Sequence, residues 1–316
     1  LESGGLETAL RSFFKRCFMS SSLTQLEVKV NPINRILKTL GRFWKTSPLA
    51  FIGGTLLALL LLMAVFSPIL APESYTATDY KQIRNPPSWD RPLGSDHLGR
   101  DALSRIIIGS RTSLFIAFTA VFIAKFIGVS WGIISGYSGG KVDIISQRFT
   151  EILEAIPSVI FALLLLAAIG AGVFGVIIAI TIGGIAGTTR VIRSVVLSVK
   201  EMEFVTAAHA LGASPLRIMI KHVAPQTIAP VLVIISGSLG GAIFAESALS
   251  FLGLGIPPPN PSWGAMLGGT LAEAFKPPWW MVVFPGVAIT LAILAFNLFG
   301  DGLRDTLDPR LRGRLD

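Results

Sequence analysis

Long apolar windows, separated by short polar segments, run through the chain and predict membrane-spanning helices. The first window, residues 49–71, contains no charged residue. A later charge-free run, residues 155–189, is 35 residues long and contains Gly170 and Gly172 near its middle. Since about 20 apolar residues cross a bilayer, we divide this run between two helices. The prediction is six transmembrane helices, at residues 49–71 and at about 113–136, 150–170, 173–190, 226–254 and 281–300.

The composition agrees with an all-α, polytopic membrane protein. Of the 316 residues, 52% are hydrophobic and 15% are charged, whereas soluble domains carry about 25% charged residues. The mean hydropathy is +0.67. Cys17 is the single cysteine, so an internal disulfide is excluded. The net charge of +8 does not indicate nucleic-acid binding, because the basic residues lie mostly in loops on one side.

The distribution of Lys and Arg predicts the orientation of the chain. Six spans place both termini on the same side of the membrane. That side holds 19 of the 27 Lys and Arg residues, and the other side holds seven. Because cytoplasmic loops carry the excess of basic residues, we expect both termini in the cytoplasm. The predicted segments are a cytoplasmic N-terminal tail (1–48), a first span (49–71), an extracytoplasmic segment (72–112), a five-span core (113–300) with a cytoplasmic loop (200–225), and a cytoplasmic tail (301–316).

The loop between the fourth and fifth spans has the local chemistry of two helices joined by a turn. Residues 203–225 read EFVTAAHALGASPLRIMIKHVAP. Ala207 and its neighbours favour helix, and Gly212 suits a C′ position with positive φ. Ser214 is a good N-cap, and Pro215 suits the first helical position after it. Small alanine side chains let another surface come close to the backbone, although a generic helical hairpin also fits this pattern.

Glycines recur every four residues on two of the predicted spans. Gly128, Gly132 and Gly136 lie on the second span, and Gly237 and Gly241 lie on the fifth. Such stripes of small residues allow helices to pack closely in lipid. They predict a compact bundle and do not identify a substrate.

Two charged side chains, Lys125 and Glu246, fall inside predicted spans. A charge within the bilayer is costly, and by default it marks a functional site that faces the protein interior or water. We therefore predict both residues as candidates for a translocation path. For Glu246 the alternative is a hydrogen-bonded group that orients helices. For Lys125 the alternatives are pairing with a carboxylate, snorkelling, or facing a partner.

Two segments with a superficial likeness to binding motifs do not carry one. Asp96, His97 and Asp101 supply no soft-ligand cluster, so a solvated loop is preferred to a metal site. Residues 139–141 read GGK and resemble part of a phosphate loop, but Val142 replaces the Ser or Thr that would hold magnesium. The sequence therefore predicts no metal site, no nucleotide site and no enzymatic activity in this chain.

The loop at 203–225 resembles the cytoplasmic coupling loop of ABC-importer permeases. In that family Glu-Ala-Ala is followed, three residues later, by Gly, and the loop ends in Ile-x-Leu-Pro. Here Thr206 replaces the Glu, His222 the Ile and Ala224 the Leu, and the His-Val-Ala-Pro ending is nearer the peptide/nickel subgroup. The resemblance assigns ATPase coupling to Glu203, Ala207, Ala208, Gly212, Arg217, His222 and Pro225.

Four further blocks resemble the dipeptide/oligopeptide/nickel permease subgroup. Residues 85–105 contain PPSW and PLGSDHLGRDALSR, and residues 136–158 read GYSGGKVDIISQRFTEILEAIPS. Residues 245–264 read AESALSFLGLGIPPPNPSWG, and residues 296–312 read FNLFGDGLRDTLDPRLR. The resemblance extends from about residue 48 to residue 312 and is closest to the second, "C"-type, permease of the paired systems.

This resemblance implies the fold of a type I ABC importer permease and the ATP-driven import of peptides. Nickel or another small solute is the alternative cargo. The implied partners are a second homologous permease, two cytoplasmic ATPase subunits and an extracytoplasmic substrate-binding protein. ATP and Mg would bind the ATPase subunits, and no cofactor is expected in this chain. The implied location is the cytoplasmic (inner) membrane of a bacterium or archaeon.

Two other function classes have less support in the sequence. A stand-alone secondary carrier needs ion-coupling groups near the midplane and often has repeated halves. Lys125 and Glu246 are thin support for such a carrier, and no internal repeat is visible. A membrane-embedded enzyme needs clustered intramembrane His, Asp or Ser chemistry, whereas all three His residues lie outside the predicted spans.

Overall fold

A computed structural model describes residues 48–273 and 276–307. The predicted N-terminal tail, except for Pro48, lies outside the described residues, as does Cys17. Of the predicted C-terminal tail, residues 301–307 are described. Within these ranges the secondary structure is helical, apart from an isolated bridge between Ser95 and Asp101.

The helices follow one another with short connections, except for the segment between α2 and α3. In chain order they are α1 (Pro48–Val65), α2 (Ser67–Leu70), α3 (Ala102–Ser138), α4 (Gly140–Ala155), α5 (Ser158–Ile169), α6 (Val173–Lys200), α7 (Glu203–Ala210), α8 (Pro215–Ile218), α9 (Ile228–Phe251), α10 (Trp263–Glu273) and α11 (Trp279–Leu307). A single 3₁₀ turn, Tyr80–Gln82, lies in the segment before α3.

The described chain contains five helices that are long and apolar enough to cross a membrane. They are α1, α3, α6, α11 and the segment Pro215–Phe251, which includes α8 and α9. A sixth span is present if α4 and α5, which meet at an angle of 87°, are counted as one broken crossing. The predicted number of spans is therefore reached only with this bent pair.

The third predicted helix, at about 150–170, is wrong as a single straight element. Ile156 has an extended backbone, with φ −99° and ψ 130°, and α5 begins after Pro157. Proline has no N–H to donate and disfavours the α conformation of the residue before it. The break therefore follows from Pro157, which the apolar pattern alone did not reveal.

Other boundaries differ from the predicted ones because capping and loop chemistry extend the helices. The second predicted span began at about residue 113, whereas α3 begins at Ala102. The Asp101 carboxylate accepts a hydrogen bond from the Ser104 backbone N–H at 2.7 Å and caps this end. In addition, α10 lies in a segment that was predicted as a loop.

The helices α3 and α6 approach each other closely along the first glycine stripe. A Cβ atom at Gly132 would lie 2.7 Å from the carbonyl oxygen of Thr189 and 2.9 Å from Ile192 Cβ. A Cβ at Gly128 would lie 2.7 Å from Thr188 Cβ, and one at Gly136 would lie 3.0 Å from Val196. These distances leave no room for a side chain.

The second glycine stripe does not make the packing contact that its spacing predicted. A Cβ atom added at Gly237 or Gly241 would meet no described atom within 4 Å. Within the part of the chain that the structure describes, α9 therefore presents these glycines to open space. The small-residue pattern therefore coincides with a helix contact within this chain on α3 and not on α9.

Apolar side chains organise the bundle around three clusters. The first joins α1, α3, α9 and α11, with Leu114, Ile243 and Phe296 buried in it. The second joins α3, α5 and α6 through Ile116 and Leu166. The third holds α7 and α8 against α6 and is described below. Large apolar side chains on the outside of the bundle are exposed, as expected for helices in contact with lipid.

We expect Gly132→Ala to destabilise the helix pair, because the new methyl group has backbone and side-chain atoms within 3 Å. The cost of overpacking is about 1–3 kcal/mol of unfolding free energy. Gly187→Ala on α6 is the matched control, because its Cβ would meet nothing within 4 Å. Thermal unfolding in mild detergent measures both variants. Equal midpoints for the two would contradict the close contact.

Candidate functional site

The segment Glu203–Thr227 forms a helical hairpin that is anchored on α6. The anchor is an apolar cluster in which Val205, Ile218 and Val223 are almost completely buried. They pack with Ile192 and Val196 of α6. This inner face fixes the hairpin on α6.

The turn between α7 and α8 depends on Gly212, which has φ +77°. The Gly212 N–H donates to His209 O at 3.0 Å, and the Ala213 N–H donates to Ala208 O at 3.1 Å. These two bonds form a Schellman motif, which requires the left-handed conformation that glycine adopts without strain. The predicted C′ conformation of Gly212 is confirmed. Ser214 precedes α8 as predicted, but its side chain makes no capping hydrogen bond.

The second half of the hairpin continues directly into the fifth span. After α8, one π-helical turn (Met219–Val223) and one 3₁₀ turn (Ala224–Thr227) lead into α9 without an extended residue. The change in winding surrounds Pro225, which cannot donate a backbone hydrogen bond. The predicted loop 200–225 therefore ends inside a continuous helical segment, and the hairpin joins α9 without an extended break.

The residues to which coupling was assigned lie mostly on the outer face of this hairpin. Glu203, Ala207, Gly212, Arg217 and Pro225 are exposed, His222 is half-buried and Ala208 is buried. Beside them, Leu211 is 88% exposed and Leu216 is 61% exposed. Exposed apolar groups next to small and charged residues are typical of a surface that docks another protein.

Contacts that the sequence did not predict connect the hairpin side of the bundle to α3 and α4. The Arg193 guanidinium on α6 donates two hydrogen bonds of 2.5 Å to Asp143 on α4. Arg190 pairs with Glu154 at 2.6 Å. The sequence offered little indication of these ion pairs, because the charges lie near the ends of predicted spans, where unpaired charges are common. A hollow of about 490 Å³ lies between the end of α3 and the hairpin. At its edge Tyr137 Oη lies 3.5 Å from His209 Nε2.

Lys125 is a residue of α3 whose side chain faces α6, and it is 7% exposed. Its Nζ donates a hydrogen bond to Thr188 Oγ1 at 2.8 Å. The same lysine lines a cavity of about 350 Å³ that is bounded by α3, α5, α6 and α9. Most of the cavity wall is small, with Gly183, Gly184 and Gly241 among its residues.

Glu246 lies elsewhere, in a closed network of serine hydroxyls. It is completely buried, and Ser250 donates to its carboxylate at 2.8 Å. Ser247 donates to it at 3.5 Å, and the hydroxyls of Ser113 and Ser262 lie close by. The residue is absent from the lining of the Lys125 cavity. The structure thus separates the two predicted translocation-path residues and places Glu246 where it joins α9 to α3 and to the start of α10.

Several charged groups in the segment before α3 pair with one another. Arg100 Nε lies 2.6 Å from the Asp96 carboxylate, and Arg91 lies 2.9 Å from the Glu73 carboxylate. Arg105 donates to the carbonyl oxygen of Tyr75 at 3.0 Å. Of these groups, Asp96, Arg100 and Arg105 line a cavity of about 520 Å³. Among the described residues, no group of three or more His, Cys, Asp and Glu has the arrangement of a metal site.

The chain has the fold of a type I ABC importer permease. A solved structure of the methionine ABC transporter MetNI in an inward-facing conformation superposes with a TM-score of 0.55 at 15% identity. The match covers 65% of this chain and 97% of that chain.

Family models agree with this fold. The model described as "binding-protein-dependent transport system inner membrane component" matches residues 128–313. A second model, described as "N-terminal TM domain of oligopeptide transport permease C", matches residues 39–87. The chain belongs to the family of binding-protein-dependent transport system inner membrane components.

Similar proteins extend over most of the chain. The oligopeptide transport system permease protein OppC of Bacillus subtilis is 40% identical over 270 residues, which are 85% of this chain and 88% of OppC. The dipeptide transport system permease protein DppC of the same organism is 41% identical over 268 residues, 85% of this chain and 84% of DppC. The glutathione transport system permease protein GsiD of Escherichia coli is 38% identical over 275 residues, 86% and 90% of the two chains.

We expect Glu246→Leu to lower stability, because it leaves buried serine hydroxyls without their acceptor. The expected loss is about 1–3 kcal/mol of unfolding free energy. Glu246→Gln keeps an acceptor oxygen and is expected to lose less. Glu151→Leu, at an exposed surface pair with Arg148, is the control. Thermal unfolding in detergent ranks the variants, and a Leu variant as stable as the Gln variant would contradict the network.

Proposed function

We propose that the chain is the C-type permease subunit of an ATP-driven importer of peptides. The observation that carries the proposal is the exposed hairpin α7–α8, which is anchored on α6 and continuous with the fifth span. Such a hairpin can pass motion from a soluble partner into the bundle. The substrate class rests on similarity, because the OppC and DppC relatives are oligopeptide and dipeptide permeases by name.

The hairpin would seat in a cleft on an ATPase subunit. Ala207 and Gly212 are exposed and small, so a partner surface can come close to the backbone there. Leu211 and Leu216 supply apolar area, and Arg217 supplies charge. Glu203, His222 and Pro225 complete the proposed contact surface, whereas Ala208 belongs to the anchor on α6.

The proposed assembly contains two permeases, two ATPase subunits and an extracytoplasmic binding protein. ATP and Mg would be bound by the ATPase subunits, and hydrolysis would take place there. Both termini of this chain would face the cytoplasm, on the side of the hairpin. Import would follow from alternation of the path between outward-facing and inward-facing states.

Alternative cargoes remain within the same proposal. Nickel or another small solute is one alternative, and GsiD, at 38% identity, is named as a glutathione permease. A stand-alone secondary carrier is the alternative from another class. It would work without an ATPase and would follow an ion gradient.

The proposal is tested by affinity purification of the chain from native membranes in mild detergent, followed by mass spectrometry and reconstitution. We expect two ATPase subunits, a second permease and a binding protein, and uptake of radiolabelled di-, tri- or tetra-alanine that requires ATP. A chain recovered alone, with uptake driven by an ion gradient, would favour the carrier. An intact, ATP-hydrolysing complex that imports none of the three peptides would overturn the peptide assignment alone.

We expect Gly212→Asp to uncouple ATP hydrolysis from transport while the bundle still assembles. The change adds a charged side chain to the exposed turn, where Gly212 has no neighbours within 4 Å to disturb. Gly212→Asn is the matched control, because it has the same shape, no charge, and tolerates positive φ. The measurement is the number of peptides imported per ATP hydrolysed in proteoliposomes. An unchanged ratio for the Asp variant would count against the docking surface.

A further inference from the structure

We propose that the cavity beside Lys125 is a binding subsite for the terminal carboxylate of the transported peptide. This inference rests on the proposed function, and it assigns to one cation of this chain a direct contact with the substrate. It concerns the path inside the permease, and therefore a step after delivery by the binding protein.

The first observation is an ammonium group whose hydrogen bonds are incomplete. An ammonium has three N–H donors, and the contact seen for Lys125 Nζ uses one of them, to the neutral hydroxyl of Thr188. No carboxylate of the described residues lies within ion-pair distance of it, whereas the paired Arg residues of the chain have acid partners between 2.5 and 3.5 Å away.

A buried charge without a counter-ion is costly in a membrane protein. Thr188 contributes a dipole, which offsets part of this cost, but it does not neutralise the charge. A ligand carboxylate would supply both the opposite charge and further hydrogen-bond acceptors, and charge-assisted hydrogen bonds are the stronger kind. The site is therefore complementary to a small anion with carboxylate chemistry.

The second observation is the cavity itself. Its volume of about 350 Å³ lies at the lower end of the range of about 300–1,000 Å³ that small-molecule sites occupy. Ser158 and Ser238 contribute hydroxyl groups to its lining. A terminal carboxylate with a short stretch of peptide fits this size, and the hydroxyls offer partners for peptide groups.

The third observation is the small size of the cavity wall. Side chains at Gly183 and Gly241 would meet no described atom within 4 Å, so these glycines leave space that larger residues would fill. Six of the lining residues are alanine: Ala124, Ala162, Ala179, Ala242, Ala245 and Ala248. The larger lining residues are apolar: Val121, Val159, Ile180, Phe244 and Leu249. An apolar wall with one fixed cation recognises the carboxylate that all peptides with a free C-terminus share, and it offers few polar groups that would select among their side chains.

The position of the cavity connects it to the hairpin. One wall is α9, which continues from the hairpin, and another is α6, on which the hairpin is anchored. Motion of the hairpin would therefore change the distance between the walls. A carboxylate bound by Lys125 would be held or released by the same movement that couples the bundle to its partner.

The test compares import of a peptide acid with import of its C-terminal amide by the reconstituted complex. The probes are the shortest of di-, tri- and tetra-alanine that the wild-type complex imports, and the matching alanine amide. For each probe, uptake by the variant is divided by uptake by the wild type with the same binding protein, so selection by the binding protein cancels.

We expect Lys125→Met to lower import of the acid by about tenfold or more, while import of the amide changes about twofold or less. Lys125→Arg keeps the charge and is expected to restore most of the acid import. Lys141→Met removes an exposed lysine of α4 and is the matched control. Its variant-to-wild-type uptake ratios are expected to be near one for both the acid and the amide. A Lys125→Met variant that lowers acid and amide equally would overturn the proposal and would indicate a structural role or pairing with another subunit.

A second measurement retains Lys125 and does not depend on the folding of its variants. Cys17 is the single cysteine, so Gly241→Cys in a Cys17→Ser chain places one thiol in the cavity wall. We expect a small water-soluble thiol reagent to modify it, the peptide acid to slow modification, and the amide to slow it much less. Equal protection by both probes, or no reaction at all, would contradict a carboxylate site. A complex that imports no peptide would instead refute the proposed function on which the inference rests.

Discussion

The close approach of α3 to α6 is the constraint on which the rest of the structure depends. In a bilayer, apolar helices gain little by leaving lipid, so their association relies on van der Waals contact and hydrogen bonds at short range. Gly128, Gly132 and Gly136 remove side chains where the backbone and side chains of α6 lie within about 3 Å. The contact fixes the register of the two helices, and both functional features of the chain follow from that register.

One residue shows how packing and chemistry depend on each other. Thr188 lies against Gly128, and its hydroxyl accepts the hydrogen bond from Lys125. Four residues further along α3, at Gly132, the partner is Thr189, followed by Ile192 and Val196, which support the hairpin. A single helix pair therefore positions the buried cation at one level and the hairpin anchor at another. A shift in register would displace both.

Much of this arrangement could be predicted from the sequence, because local chemistry decides it. The charge-free windows gave the spans, and Gly212 with Pro215 gave the turn of the hairpin. The bend at Pro157 was missed because a run of apolar residues does not indicate whether the helix is straight. The helix α10 was missed because its eleven residues are too few to span a membrane. The different behaviour of the glycine stripes on α3 and α9 depends on which surface each helix meets, and that surface is set by tertiary packing.

The structure distinguishes the surroundings of the two charged residues in the predicted spans, which the sequence could not do. Glu246 and Lys125 both fall inside predicted spans, where a charge has a high free-energy cost. The pattern of apolar residues therefore gives the same prediction for both. Their surroundings differ, because four serine hydroxyls enclose Glu246, whereas the contact of Lys125 is a single neutral hydroxyl beside a cavity. A buried carboxyl group surrounded by hydroxyl donors orients the helices that supply those donors. A buried ammonium with few hydrogen-bond partners is stabilised when a ligand supplies the missing ones. Binding a substrate carboxylate would therefore offset the free-energy cost of burying Lys125.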